Sequence, residues 1–219
     1  MKTFKVLSLA LSYPEYDWLS ALPEMAALLS DERLAAGRPL DHALSLLAHL
    51  GRTPLLDLQE HYVAHFDRDA RCSLCLFEHV LGDSRERGQA MVSLLQRYQE
   101  AGLAFEAEAL PDHLPAFLEY LSLLPLTKAL DSLAETTHLL RVIGERLAKR
   151  GSPYAALFSF LLALAGEPEL VEAGEAPVFR EDLEALDRAW AESPVQFGPA
   201  CAPIGGQAQP IHFHKGAGS

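Results

Sequence analysis

Cys72, Cys75 and His79 stand three and four positions apart, a spacing that on a helix would set two thiolates and an imidazole along one face, the donor types of a zinc site. Zinc takes four ligands, and the remaining thiol, Cys201, lies far down the chain with His212 and His214 nearby. The same residues also read as small apolar side chains, since free cysteine is among the most buried residue types. His61 and His65 fall one helical turn apart, again a ligating distance, but no third ligand accompanies them. A hydrogen-bonded pair is the competing reading. In Leu110-Pro111-Asp112-His113-Leu114-Pro115 an acid and an imidazole sit side by side at a helix start bracketed by prolines. Asp112 is placed to cap the following helix, and His113 to titrate near neutral pH. Phe117, Tyr120 and Leu121 follow, an apolar wall with polar handles suited to gripping an amphipathic peptide.

The common catalytic signatures are missing. There is no GKS or GKT phosphate loop, no GxGxxG after a strand, no GxSxG elbow and no HExxH. The stretch from Gly82 to Gly88 has no lysine to hold a phosphate. One enzymatic alternative stays open: a metal- or nucleotide-binding enzyme using Cys72, Cys75 and His79, or Asp112 and His113.

The elements that must position these residues read as helices. Phe4, Leu7 and Leu11 form a stripe that Pro14 interrupts, and Trp18, Leu22, Met25 and Leu29 continue on one bent helix or two short ones around Pro23. After Gly37-Arg38-Pro39, a stripe of Leu40, Leu44, Leu47 and Leu50 stops at Gly51. Thr53-Pro54 starts a helix with the hydroxyl as cap, carrying Leu55, Leu58, Tyr62 and Phe66. Asp83 with Glu86 opens another with Met91, Leu94, Leu95 and Tyr98, closing near Gly102. Leu130 to Leu147 predicts one long helix ending in Lys149-Arg150-Gly151, where cations suit the negative end of the dipole. Tyr154 to Ala165 is apolar all round, the mark of a central, surrounded helix, and Arg180 to Glu192 gives a last amphipathic one. Residues 1–197 therefore read as one all-helical domain and 198–219, rich in glycine and proline, as a flexible tail.

Composition agrees: 219 residues, 49% hydrophobic and 22% charged, suffice for one core. Thirty acidic side chains against eighteen basic ones give a formal charge of -12, which repels nucleic acid and anionic lipid and favours a basic peptide. Three cysteines without a secretion signal, and no apolar run near the roughly 20 residues of a bilayer span, point to a reducing compartment.

The strings Phe66-Asp67-Arg68, Ser73-Leu74, Leu76 to Val80, Gly82 to Met91, and Leu110 to Pro115 followed by Phe117 to Leu121, in this order, closely resemble the nitrate reductase molybdenum cofactor assembly chaperones of the NarJ type, or delta subunit. With Leu7 to Pro14 and Trp190 to Val195, the likeness reaches about Phe197. Tyr62-Val63-Ala64-His65-Phe66 is similar to the aromatic-x-x-Leu-Phe pattern of the wider TorD/DmsD-like family, with His65 in the leucine place. Asp112-His113 resembles the end of its Glu-x-x-Asp-His pattern, Ala109 standing where the acid is expected. The resemblance implies an all-α, single-domain helical bundle of the TorD/NarJ-like chaperone type that is not an enzyme and holds no metal or cofactor. It implies a monomeric cytoplasmic protein that binds the N-terminal segment of the immature catalytic (alpha) subunit of a molybdenum nitrate reductase. Such a chaperone permits cofactor insertion, delays membrane docking and leaves the finished enzyme, with cofactor-delivery proteins as further partners. Tyr62, Phe66, Phe77, Glu78, His79, Leu110, Asp112, His113, Phe117 and Tyr120 are the expected client-peptide groove.

Overall fold

The computed structural model describes residues 1–81, 84–103 and 110–170. Among them the chain is all-α, with no strand beyond one isolated bridge. The expected helix at 180–192, the boundary at 197, the tail, Cys201, His212, His214 and Asp83 lie outside the described residues.

Helix α1 (Lys2–Ala10) buries Phe4, Val6, Leu7 and Ala10. Its first amides have no partner one turn back, and a distant carboxylate supplies one. Glu32, the last residue of α3 (Leu22–Glu32), accepts from the Lys2 amide at 3.0 Å and the Thr3 amide at 2.9 Å, and from the Thr3 hydroxyl at 2.8 Å. Burial pushes the Glu32 carboxyl up, but these hydrogen bonds outweigh it and hold the group below its usual range. Between them lies α2 (Tyr16–Leu19); the break falls at Ser20 and Ala21, with Pro23 in the first turn of α3, so the segment is two helices.

In α4 (Arg38–Leu50) the buried face is Pro39, Ala43, Leu46, Leu47 and Leu50, while Leu40 and Leu44 are only half-buried. The stripe is rotated from the one expected because the helix is covered on two sides, by α3 and by α11 (Ala155–Leu164). Thr53 does not cap α5 (Leu55–Tyr62): its hydroxyl turns back to the His49 carbonyl at 3.0 Å, and Pro54 takes the cap position. The chain then widens into a π turn, Val63–Asp67, closed by Arg68 N–H to Val63 O at 3.0 Å.

A 3-10 turn (Ala70–Cys72) and α6 (Glu78–Leu81) lead to α7 (Arg85–Glu100), which Ser84 caps by accepting from the Arg87 amide at 3.2 Å. After α8 (Leu114–Leu123), the long helix expected over Leu130 to Leu147 is two, α9 (Leu126–Ala134) and α10 (Thr137–Lys149). Thr136 and Thr137 return their hydroxyls to the carbonyls of Leu133 and Ala134 at 2.8 and 2.9 Å, the competition with main-chain bonding that ends helices.

Helix α11 is central, with Leu157, Phe158, Phe160, Leu161 and Leu162 fully buried between α10 and α4, as its all-round apolarity predicts. None of the described helices is long and apolar enough to cross a membrane. Gly144 lets α10 approach α11: an added Cβ would lie 2.8 Å from Phe158 Cβ and 2.7 Å from Leu170 Cδ1. Gly144→Ala should cost about 1–3 kcal/mol by overpacking, read as a lowered urea midpoint. Glu32→Ala should cost about 1 kcal/mol through loss of the cap; an unchanged midpoint would remove that role for Glu32.

Candidate functional site

Two loops far apart in sequence are joined side by side. Leu76 N–H donates to Asp112 O at 2.9 Å and Leu114 N–H to Leu74 O at 2.8 Å, flanking an antiparallel bridge between Cys75 and His113. Both partners lie next to prolines or short turns, where the main chain lacks helical partners and so pairs across the gap.

The Asp112 side chain fastens this pairing. It is fully buried; Oδ2 accepts the Phe77 amide at 3.2 Å and lies 3.4 Å from the Arg87 guanidinium, itself 14% exposed. Asp112 does not cap α8, whose N-cap residue is His113 and carries no side-chain cap. The acid bonds backward because the antiparallel pairing turns its side chain toward α6 and α7. On the other loop Ser73 accepts the Cys75 amide at 3.2 Å and donates to Glu78 at 2.7 Å, and a His79 ring nitrogen lies 2.8 Å from Ser73 O. Tyr98 donates to Pro111 O at 2.8 Å and packs against Tyr120, ring centres 4.9 Å apart, with Phe117 a further 6.4 Å from Tyr120. Burial pushes the Tyr98 hydroxyl up, reinforced by the Asp112 charge, so it stays a donor.

Tyr62 and Phe66 belong to an adjoining aromatic cluster. Tyr62 packs on Phe66 at 4.9 Å and edge-on to Tyr13 at 5.5 Å, Phe66 meets Tyr154 at 5.1 Å, and the Tyr62 hydroxyl donates to Leu11 O at 3.1 Å. This cluster adjoins the paired loops: Cys75 and Asp67 add to the burial that raises the Tyr62 hydroxyl. Burial lowers the His113 imidazole, against the pull of Asp112 and Asp67.

The ten expected groove residues thus divide. Tyr62, Phe66, Asp112 and Phe117 are buried, Phe77, Glu78, His79, His113 and Tyr120 are half-buried, and Leu110 is 46% exposed. Cys72, Cys75 and His79 do not share a helix face. Cys72 ends the 3-10 turn, Cys75 sits in the bridge and His79 is on α6, because the chain between them passes through a bend, the bridge and a turn and not through one helix. Burial raises both thiols. Among the described residues no set of three or more His, Cys, Asp or Glu side chains is placed to hold a metal. Arg87, Ser73 and Tyr98 were not singled out as site residues. Arg87 lies within the matched string Gly82 to Met91, which was the available signal.

The profile of the family described as nitrate reductase delta subunit matches residues 26–159. The chain belongs to this family. It is 40% identical over 201 residues to the nitrate reductase molybdenum cofactor assembly chaperone NarJ of Escherichia coli (strain K12), covering 88% of this chain and 83% of that one. It is 39% identical over 201 residues, 90% of this chain and 84% of the relative, to a probable chaperone of the same description, NarW, from the same strain. A probable NarJ of Bacillus subtilis (strain 168) is 31% identical over 162 residues, 74% of this chain and 86% of the relative. The delta subunit family is one of assembly chaperones, the class expected in place of an enzyme.

His65, in the leucine place of the wider pattern, lies 6.4 Å from the Phe66 ring and 6.5 Å from Tyr154. Burial first, then His61 and Arg150, push it down to about 4. A histidine lowered on folding is neutral in the fold and takes up a proton more readily when unfolded. Its contribution is intact above pH 6.5 and lost as pH falls toward 4. His49 and His113 are lowered too and act with the same sign. Between pH 7 and 5 His65 alone should cost about 1–2 kcal/mol, and His65→Leu should flatten the melting temperature over that interval. Equal pH slopes in the two proteins would remove His65 as the cause. Asp112→Ala, which removes a fully buried acceptor from the Phe77 amide and the Arg87 guanidinium, should cost about 1–3 kcal/mol in urea unfolding.

Proposed function

We propose that this chain is a cytoplasmic chaperone that binds the N-terminal segment of the immature catalytic subunit of a respiratory nitrate reductase or a closely related molybdoenzyme. It permits molybdenum cofactor insertion, delays membrane docking until that is done, and leaves the finished enzyme. It works as a monomer, with cofactor-delivery proteins as further partners. The observation that carries the reading is the identity of about 40% over 201 residues to a relative named for this assembly role.

The site geometry fits recognition of a peptide. Phe77, His79, Leu110, His113 and Tyr120 offer half-buried and exposed surface beside segments tied together by Asp112 and Tyr98 hydrogen bonds. Apolar contact along such a surface supplies affinity at about 25 cal/mol per Å² before association costs. The half-buried Glu78 and the formal charge of -12 steer a basic client segment.

The test is calorimetric titration of the protein with a synthetic peptide of the catalytic subunit's first residues. Leu110→Ala and Tyr120→Ala should each weaken binding about tenfold, with unchanged melting temperature for Leu110→Ala. Undiminished binding in both would reject this placement of the groove. Failure of the unaltered protein to bind any part of the immature catalytic subunit would reject the chaperone reading itself.

A further inference from the structure

The end of α10 and the 3-10 turn enclose an open cavity of about 180 Å³, lined by Asp69, Arg71, Cys72, Arg146, Lys149 and Arg150, none of them among the ten expected groove residues. In a chain of charge -12 this is an electropositive place: four cations against one carboxylate leave an excess of three. Arg146 and Lys149 on the last turn of α10, with Arg150 as its C-cap, alone would be explained by the helix dipole. Arg71, however, comes from a different element and turns to the same spot.

The arrangement is fixed by the fold. Asp69 caps the 3-10 turn by accepting the Arg71 amide at 3.0 Å, and its two oxygens take the Arg71 guanidinium at 3.0 and 3.2 Å. The Arg150 guanidinium converges on the same carboxylate. Arg146 donates to the Arg71 carbonyl, which ties α10 to the turn. Lys149 has no ion-pair partner among the described residues. Asp69, 15% exposed, answers only one of the positive charges, and the Cys72 thiol gives the cavity an uncharged floor.

We propose that this cavity is a binding site for the phosphate group of a small molecule. Guanidinium forks match the oxygens of phosphate and carboxylate alike, but the charge chooses between them. A single carboxylate cancels one of the three excess charges, whereas a phosphate monoester, with about -1.5 to -2 charges at pH 7, cancels most of them. Exposed Lys149 reaches the ligand from one side, while Arg71, Arg146 and Arg150, each bonded within the fold, form the fixed side.

The experiment is calorimetric titration of the full chain with sodium phosphate and sodium pyrophosphate at constant ionic strength, with acetate as the single-carboxylate control. Saturable one-site binding is expected, pyrophosphate tighter than phosphate and at least about tenfold tighter than acetate. Arg71→Gln and Lys149→Gln, both at exposed side chains, should each weaken pyrophosphate binding by about tenfold while melting temperature and client-peptide binding stay as they were. Absence of saturable binding, or equal affinity in both variants, overturns the proposal. Acetate binding as tightly as pyrophosphate overturns the phosphate assignment and gives the cavity to a carboxylate-bearing partner.

Discussion

A single buried carboxylate holds the candidate site together. Asp112 has no access to water, so the fold must answer its charge. It does so with an amide from one neighbouring segment and a guanidinium from the helix beyond it. Removing either donor leaves a charge in a place that water cannot reach, while keeping both fixes three segments of chain relative to one another. The main-chain bonds at Leu76 and Leu114 and the Tyr98 hydroxyl then have no freedom left to choose other partners.

The helices were legible in the sequence wherever an apolar period ran without interruption. Tyr154 to Ala165 is the clearest, because a helix with no polar face has to be surrounded. Legibility failed where side-chain hydroxyls act on the main chain. Thr53 looked like a cap and bonds backward, and Thr136 and Thr137 divide what reads as one helix. Periodicity carries no record of such bonds. The stripe on α4 was displaced for a related reason, since a helix with two neighbours buries the arc between them and not the single best line of leucines.

The candidate site was legible as strings and not as geometry. The two matched segments around Ser73 to His79 and Leu110 to Pro115 do lie together, which their order along the chain does not dictate. What each side chain does was decided by the third dimension. Asp112 read as a helix cap and is an anchor, and Cys72, Cys75 and His79 read as one face and are spread over three kinds of backbone. Residue spacing presumes the conformation of the intervening chain, and a bend, a bridge and a turn in place of one helix void the helical count.

The pairing of these two loops also bears on how the molecule assembles. Phe77 and Asp112 are 35 positions apart, with the whole of α7 between them. Helices nucleate from neighbours in sequence, but this junction closes a ring of that length, at an entropic cost that its buried contacts must offset. Its amides at Leu76 and Leu114 are therefore coupled, and solvent hydrogen reaches both when the two loops part.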